Sequence, residues 1–175
     1  NLLDNLLFGT LATYGIIESA NVEIKKIGKP SYLKLSFTLL KNKTILPIVR
    51  LMSPLFSDKL FYFLLAIFSL VVFGTLIAHF NSIKIGLENL NFGQWALYIL
   101  FAGTVLFFHE MGHAAACHRF GAKFGDIGFG FYLLSPVMFA DVSDIWKLKP
   151  NKRIIVNLSG IYIELLIASI LVLFF

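Results

Sequence analysis

Three apolar runs fix most of what this chain can become. The first is "LFYFLLAIFSLVVFGTLIAHF", roughly Leu60 to Phe80; the second begins near Trp95 as "WALYILFAGTVLFF"; the third covers Ile154 to Phe175. A helix of about 20 apolar residues is long enough to cross the hydrocarbon of a bilayer. Inside lipid the backbone must satisfy its own N–H and C=O groups, which leaves helices or closed barrels. Three such runs predict an all-α membrane protein with a helical core of about three transmembrane helices. Composition agrees: 58% of the 175 residues are hydrophobic and 14% charged, whereas a soluble domain is about a quarter charged. With one cysteine, Cys117, the chain can form no internal disulfide and no Cys-rich metal site.

The charges say more about placement than about partners. A net charge of +5 could suggest nucleic acid. The basic residues, however, flank apolar runs and form no continuous stripe, so orientation in a membrane explains them better and no nucleic-acid partner is expected. Eight of the 15 Lys and Arg lie in residues 1–59, and the link between the first two runs holds only Lys84. Arg119, Lys123, Lys147, Lys149, Lys152 and Arg153 follow the second run. This asymmetry places the N-terminus and the segment after the second run on the cytoplasmic side of a multi-pass protein.

Two parts are expected. Residues 1–59 form a cytoplasmic or interfacial N-terminal segment, and 60–175 form the transmembrane core, cut short at its C-terminus because "IASILVLFF" has no polar flank. In the first part, "NLLDNLLFGTLATYGIIESA" has helical spacing and "SYLKLSFTLL" partly alternates like a short strand. "ILPIVRLMSPLF" is broken by Pro47 and Pro54 and suits an interfacial amphipathic segment better than a span. Between the second and third runs, "GAKFGDIGFGFYLLSPVMFADVSDIWKLKP" is rich in Gly and aromatics and interrupted by Pro136. It predicts a short β-hairpin or re-entrant loop folded against the helices.

The second run ends in "FFHEMGHAAACHRFG". Ionisable groups at membrane depth are costly and mark function by default. His109, Glu110 and His113 spell H-E-x-x-H, and on a helix positions i and i+4 share one face, so both imidazoles can reach one ion. Zn2+ accepts neutral imidazole readily and, for catalysis, takes three protein ligands and keeps an open position. Glu110, one residue along, is placed to act as general base on water activated by the ion. The competing reading is a pair of histidines that close a span and snorkel to the interface. It suits a lone histidine better than this pattern inside an apolar helix.

Other polar residues carry less. Cys117 lies about 12 Å along the helix from His109 and cannot share its ion, so it is a packing residue. His118, Arg119 and His79 sit where helices meet headgroups. Asp141 and Asp144 could approach the ion if the loop folds back, although turn formation is the stronger reading for each. Glu164 places a carboxylate inside the third run, where it must face the protein and can order substrate or a liganding histidine. Gly160 beside it signals close helix packing. A third ligand is not evident, which places it beyond residue 175.

"HEMGHAAACHRFGA", "GDIGFGFYLLSP" and "KRIIVNLSGIYIELLIAS" together resemble the site-2 protease family of intramembrane zinc peptidases, and more closely its peptide zinc metalloprotease branch. The resemblance covers roughly residues 60–175. It implies a three-helix catalytic core with His109 and His113 as zinc ligands and Glu110 as catalytic base. It also implies a third ligand, an aspartate in an L-D-G type motif on a later span, which this sequence lacks. Where the family has an asparagine on the third span, this chain has Glu164, a departure that bears on substrate handling.

The leading expectation is an intramembrane zinc metalloprotease that hydrolyses peptide bonds of a membrane-associated protein or peptide, in a bacterial cell membrane. Its partners would be membrane lipid, that substrate, and the components of peptide maturation or export. The alternative is a non-catalytic membrane subunit of a peptide maturation, export or immunity complex that retains a metal site. A membrane-anchored zincin with a soluble catalytic domain ranks low, because Ala96 to Phe108 are almost wholly apolar.

Overall fold

The computed structural model describes residues 33–174 apart from 133 and 134. The helically spaced stretch at residues 1–20 therefore lies outside the described residues. The rest is mostly helical, with one small antiparallel sheet. Strand β1 (Leu33–Leu40) leads into helix α1 (Asn42–Met52) and a short helical turn, Ser53–Phe56. Three helices are long and apolar enough to cross a membrane: α2 (Asp58–Ala78), α4 (Phe92–Arg119) and α5 (Pro150–Phe174). A short helix, α3 (Phe80–Glu88), fills what read as a plain link between the first two.

The ends of α4 follow from local chemistry. Asn91 accepts from the backbone of Gln94, and Gln94 returns the bond to the backbone of Asn91, a reciprocal cap that starts the helix. At the other end Gly121 adopts φ +79°. Its N–H donates to the His118 carbonyl, and the next N–H, from Ala122, donates to Cys117. This is the glycine-terminated helix stop in which only a residue without Cβ sits comfortably. The chain thus leaves the helix two residues after Arg119.

It then runs into the hairpin that the Gly-rich segment predicts. Strand β2 (Ile127–Tyr132) pairs antiparallel with β3 (Ser135–Ala140), and β2 also pairs antiparallel with β1 on its other side, Phe37 opposite Phe129. The Phe139 ring lies across Gly128, where any side chain would overlap it. The expected helical core with a short hairpin is present, and the sheet adds a third strand to it: β1 comes from the N-terminal stretch and closes on a partner about ninety residues later. Periodicity within one segment cannot foresee so distant a pairing.

α1 buries Ile45 and Val49, one turn apart, against α4. Between α2 and α5 the core is aromatic: Phe61 and Phe68 pack on Tyr162 at ring separations of 4.8 and 5.6 Å, with Phe56 at 5.5 Å. Lys152, near the start of α5, pairs with Asp58 at the start of α2 and lies over the Phe120 ring just past α4. One end of the bundle therefore gathers the starts of α2 and α5 and the finish of α4.

Candidate metal centre

α4 and α5 approach closely because glycines sit at the contact. A Cβ on Gly112 would lie 2.7 Å from the Ser159 carbonyl oxygen, and one on Gly160 would overlap the His109 ring. Each helix thus supplies a glycine where the other brings a side chain or backbone close, and the His109 imidazole lies against the bare backbone of α5. Around this contact Met111 and Ala114 to Cys117 are buried.

His109 and His113 come together on the inner face of α4. Their Nε2 atoms are 3.1 Å apart, and both side chains are partly buried. The opposite nitrogens are engaged by α5. His113 Nδ1 lies 2.7 Å from the Val156 carbonyl oxygen, an atom that can only accept, so Nδ1 carries the proton. Ser159 Oγ, which donates to the same carbonyl, is 3.2 Å from that Nδ1. His109 Nδ1 lies 2.9 Å from Glu164 Oε1, a carboxyl oxygen placed to accept from it. With both Nδ1 atoms engaged by α5, the two Nε2 atoms are left facing one another.

Two ring nitrogens at this distance either share a proton or, as paired lone pairs, face a common cation. Ligands of a tetrahedral zinc at about 2.0–2.1 Å stand about 3.3 Å from one another, close to the spacing seen here. The pattern in which a metal-binding histidine donates its other ring N–H to a carboxylate or carbonyl is the usual support for such ligands. The two histidines therefore fit a divalent cation. Among the described residues, no group of three His, Cys, Asp or Glu side chains converges to complete the shell.

Glu110 follows His109 and is partly buried, its carboxylate toward the backbone of Ala140, where β3 ends. Asp141 and Asp144 do not join the histidines. Asp141 accepts from the Ser143 backbone and hydroxyl, and Asp144 accepts from the Lys123 backbone and pairs with Lys147. The two aspartates tie down the loop that carries the hairpin back to α5. The Lys123 N–H and the Lys147 ammonium hold the Asp144 carboxyl below the usual carboxylate range. Cys117 is fully buried, a packing residue. His118 packs edge-on against Phe124, and His79 closes α2 at the end of the bundle away from the histidine pair.

Sequence reasoning missed two contributors to the site. A backbone acceptor such as Val156 leaves no residue-type signal. Ser159 could have been suspected only from its position beside Gly160, on the face of α5 that a small residue opens to α4.

No family model matches the chain, and no solved structure matches it. The chain is 28% identical over 162 residues, 90% of its own length, to a Bacillus subtilis (strain 168) protein named "Putative peptide zinc metalloprotease protein YydH". It spans 63% of the length of that relative.

Proposed function

We propose that this chain contributes the H-E-x-x-H half of the active site of an intramembrane zinc metallopeptidase of the site-2 type. One observation carries the reading: two imidazole Nε2 atoms converge, each ring anchored through its other nitrogen by α5. The distant similarity to a protein named as a peptide zinc metalloprotease supports a zinc metalloprotease family. Three helices of span length support a membrane protein.

When bound, a zinc ion supplies a Lewis acid that polarises a peptide carbonyl and makes water acidic enough to attack near neutral pH. The chain's own residues do the rest. Val156 and Glu164 fix the tautomers and planes of His113 and His109, so both lone pairs stay aimed at one point. Glu110, which follows His109 on α4, would take the proton of the attacking water and return it to the leaving amine nitrogen. The substrate is a membrane-associated peptide or protein whose backbone is locally extended, because a helix hides its carbonyls in hydrogen bonds.

The test uses the full-length protein in membranes. Glu110→Gln should retain about one zinc per chain and lose peptide cleavage by at least about a hundredfold. Cleavage that survives would remove Glu110 from the chemistry. Retained zinc in a wild-type protein that cleaves no peptide, even with its maturation or export partners present, would favour the non-catalytic subunit instead.

A further inference from the structure

Apart from the histidine pair, the end of the bundle where α5 begins holds a cavity of its own. It measures about 390 Å³ and is lined by Ile145, Trp146, Pro150, Arg153, Ile154 and Asn157. The Arg153 guanidinium lies over the Trp146 ring, 5.3 Å from its centroid. Its Nε is buried and has no hydrogen-bond partner among the described residues. The acidic groups nearby are committed elsewhere, Asp58 to Lys152 and Asp144 to Lys147.

An arginine cannot shed its proton to relieve this situation. A guanidinium whose Nε is buried without a partner, which lies over an indole and pairs with no carboxylate among the described residues, is suited to an anion from outside. Guanidinium geometry matches phosphate oxygens two at a time. The start of α5 adds the partial positive charge of a helix N-terminus, and Asn157, one turn on, offers amide donors.

Position selects the source of the anion. The cavity sits at the same end of the bundle as the starts of α2 and α5, and Trp146 is 75% exposed there. Tryptophan with a dense cationic flank is the signature of the headgroup layer. We propose that Arg153, Trp146 and Asn157 form a binding site for the phosphate of an anionic phospholipid headgroup. This rests on the membrane placement proposed above and is independent of proteolysis.

Full-length protein purified in detergent and titrated with phosphatidylglycerol tests it. At saturating lipid the thermal midpoint should rise by about 5–10 °C, with phosphatidylcholine less effective. Arg153→Gln should weaken the half-saturating concentration at least tenfold. Arg153→Lys, which keeps the charge and loses the fork, should fall between, and Lys147→Gln, an exposed neighbour, should change it less than twofold. If Arg153→Gln does not fold, Trp146→Ala carries the test, with a weakening of about three- to tenfold expected from loss of the stacked ring.

Wild-type behaviour in Arg153→Gln, or an equal loss in Lys147→Gln, would overturn the proposal. So would glycerol phosphate giving the full effect at the same concentration, or a peptide with a free C-terminal carboxylate giving it while the lipid does not. Alkaline carbonate extraction of membranes separates the two readings. Protein released by it contradicts the membrane placement, whereas protein retained without a lipid effect contradicts only the headgroup site.

Discussion

The two halves of α4 share one helix and behave differently. From Phe92 to Leu106 most side chains lie bare, the large ones among them: Leu97, Ile99 and Leu100 are 67%, 66% and 69% exposed. From Met111 to Cys117 they are mostly small and, apart from His113, buried, with Met111, Ala115 and Cys117 fully covered. Hydropathy reads both halves as span. What separates them is residue size: large apolar residues suit a lipid-like surround, while glycine and alanine let a second helix come near enough for imidazoles to meet its backbone. The site exists where the helix stops being merely apolar.

Glycine tests the contrast most sharply. Gly160→Ala should push the His109 ring away, cost about 1–3 kcal/mol through overpacking and lower zinc affinity together with stability. Gly103→Ala, in the bare half with nothing within 4 Å of its Cβ position, should leave both within about 0.5 kcal/mol. Thermal midpoints and zinc titrations of the two full-length variants decide it, and equal behaviour would erase the distinction.

Glu164→Gln sharpens the contrast on the side of α5. It keeps an oxygen acceptor for His109 Nδ1 but removes the charge, and should weaken zinc binding by about 10–100-fold while leaving the fold intact. Competition with a zinc-sensitive chelator measures it.

The smallest effect lies outside the helices, in the loop behind the hairpin. Asp144 has a carboxyl held below its ordinary range, so its stabilising contribution is complete above the unfolded-state value. It is lost as pH falls through the depressed one. The thermal midpoints of wild type and Asp144→Asn should therefore differ near neutral pH; the difference should begin to shrink below about pH 4 and vanish once the pH lies below the depressed value. A difference that persists in acid would assign the loop's stability to another group.

Much of this was legible in the sequence, for reasons that differ by element. The three long helices begin and end within a few residues of the apolar runs, because length and hydropathy are local properties. The β2–β3 hairpin follows from glycine and aromatic content. H-E-x-x-H puts two imidazoles on one face of any helix, and α4 does so. The β1 pairing, the link of His109 to Glu164 across 55 positions and the Val156 carbonyl beside His113 were not legible. Each depends on where α5 and the N-terminal stretch land against α4, and a single sequence carries no distance between segments. Glu164 could be marked as out of place in an apolar run, while its partner emerged only with the fold.

The most direct measurement is X-ray absorption at the zinc edge on the full-length protein. Nitrogen scatterers at about 2.0–2.1 Å with the outer-shell pattern of two imidazoles are expected, reduced to one or lost in His113→Ala. Zinc that shows no imidazole, or a spectrum unchanged when either His109 or His113 is replaced by alanine, would contradict this ligation.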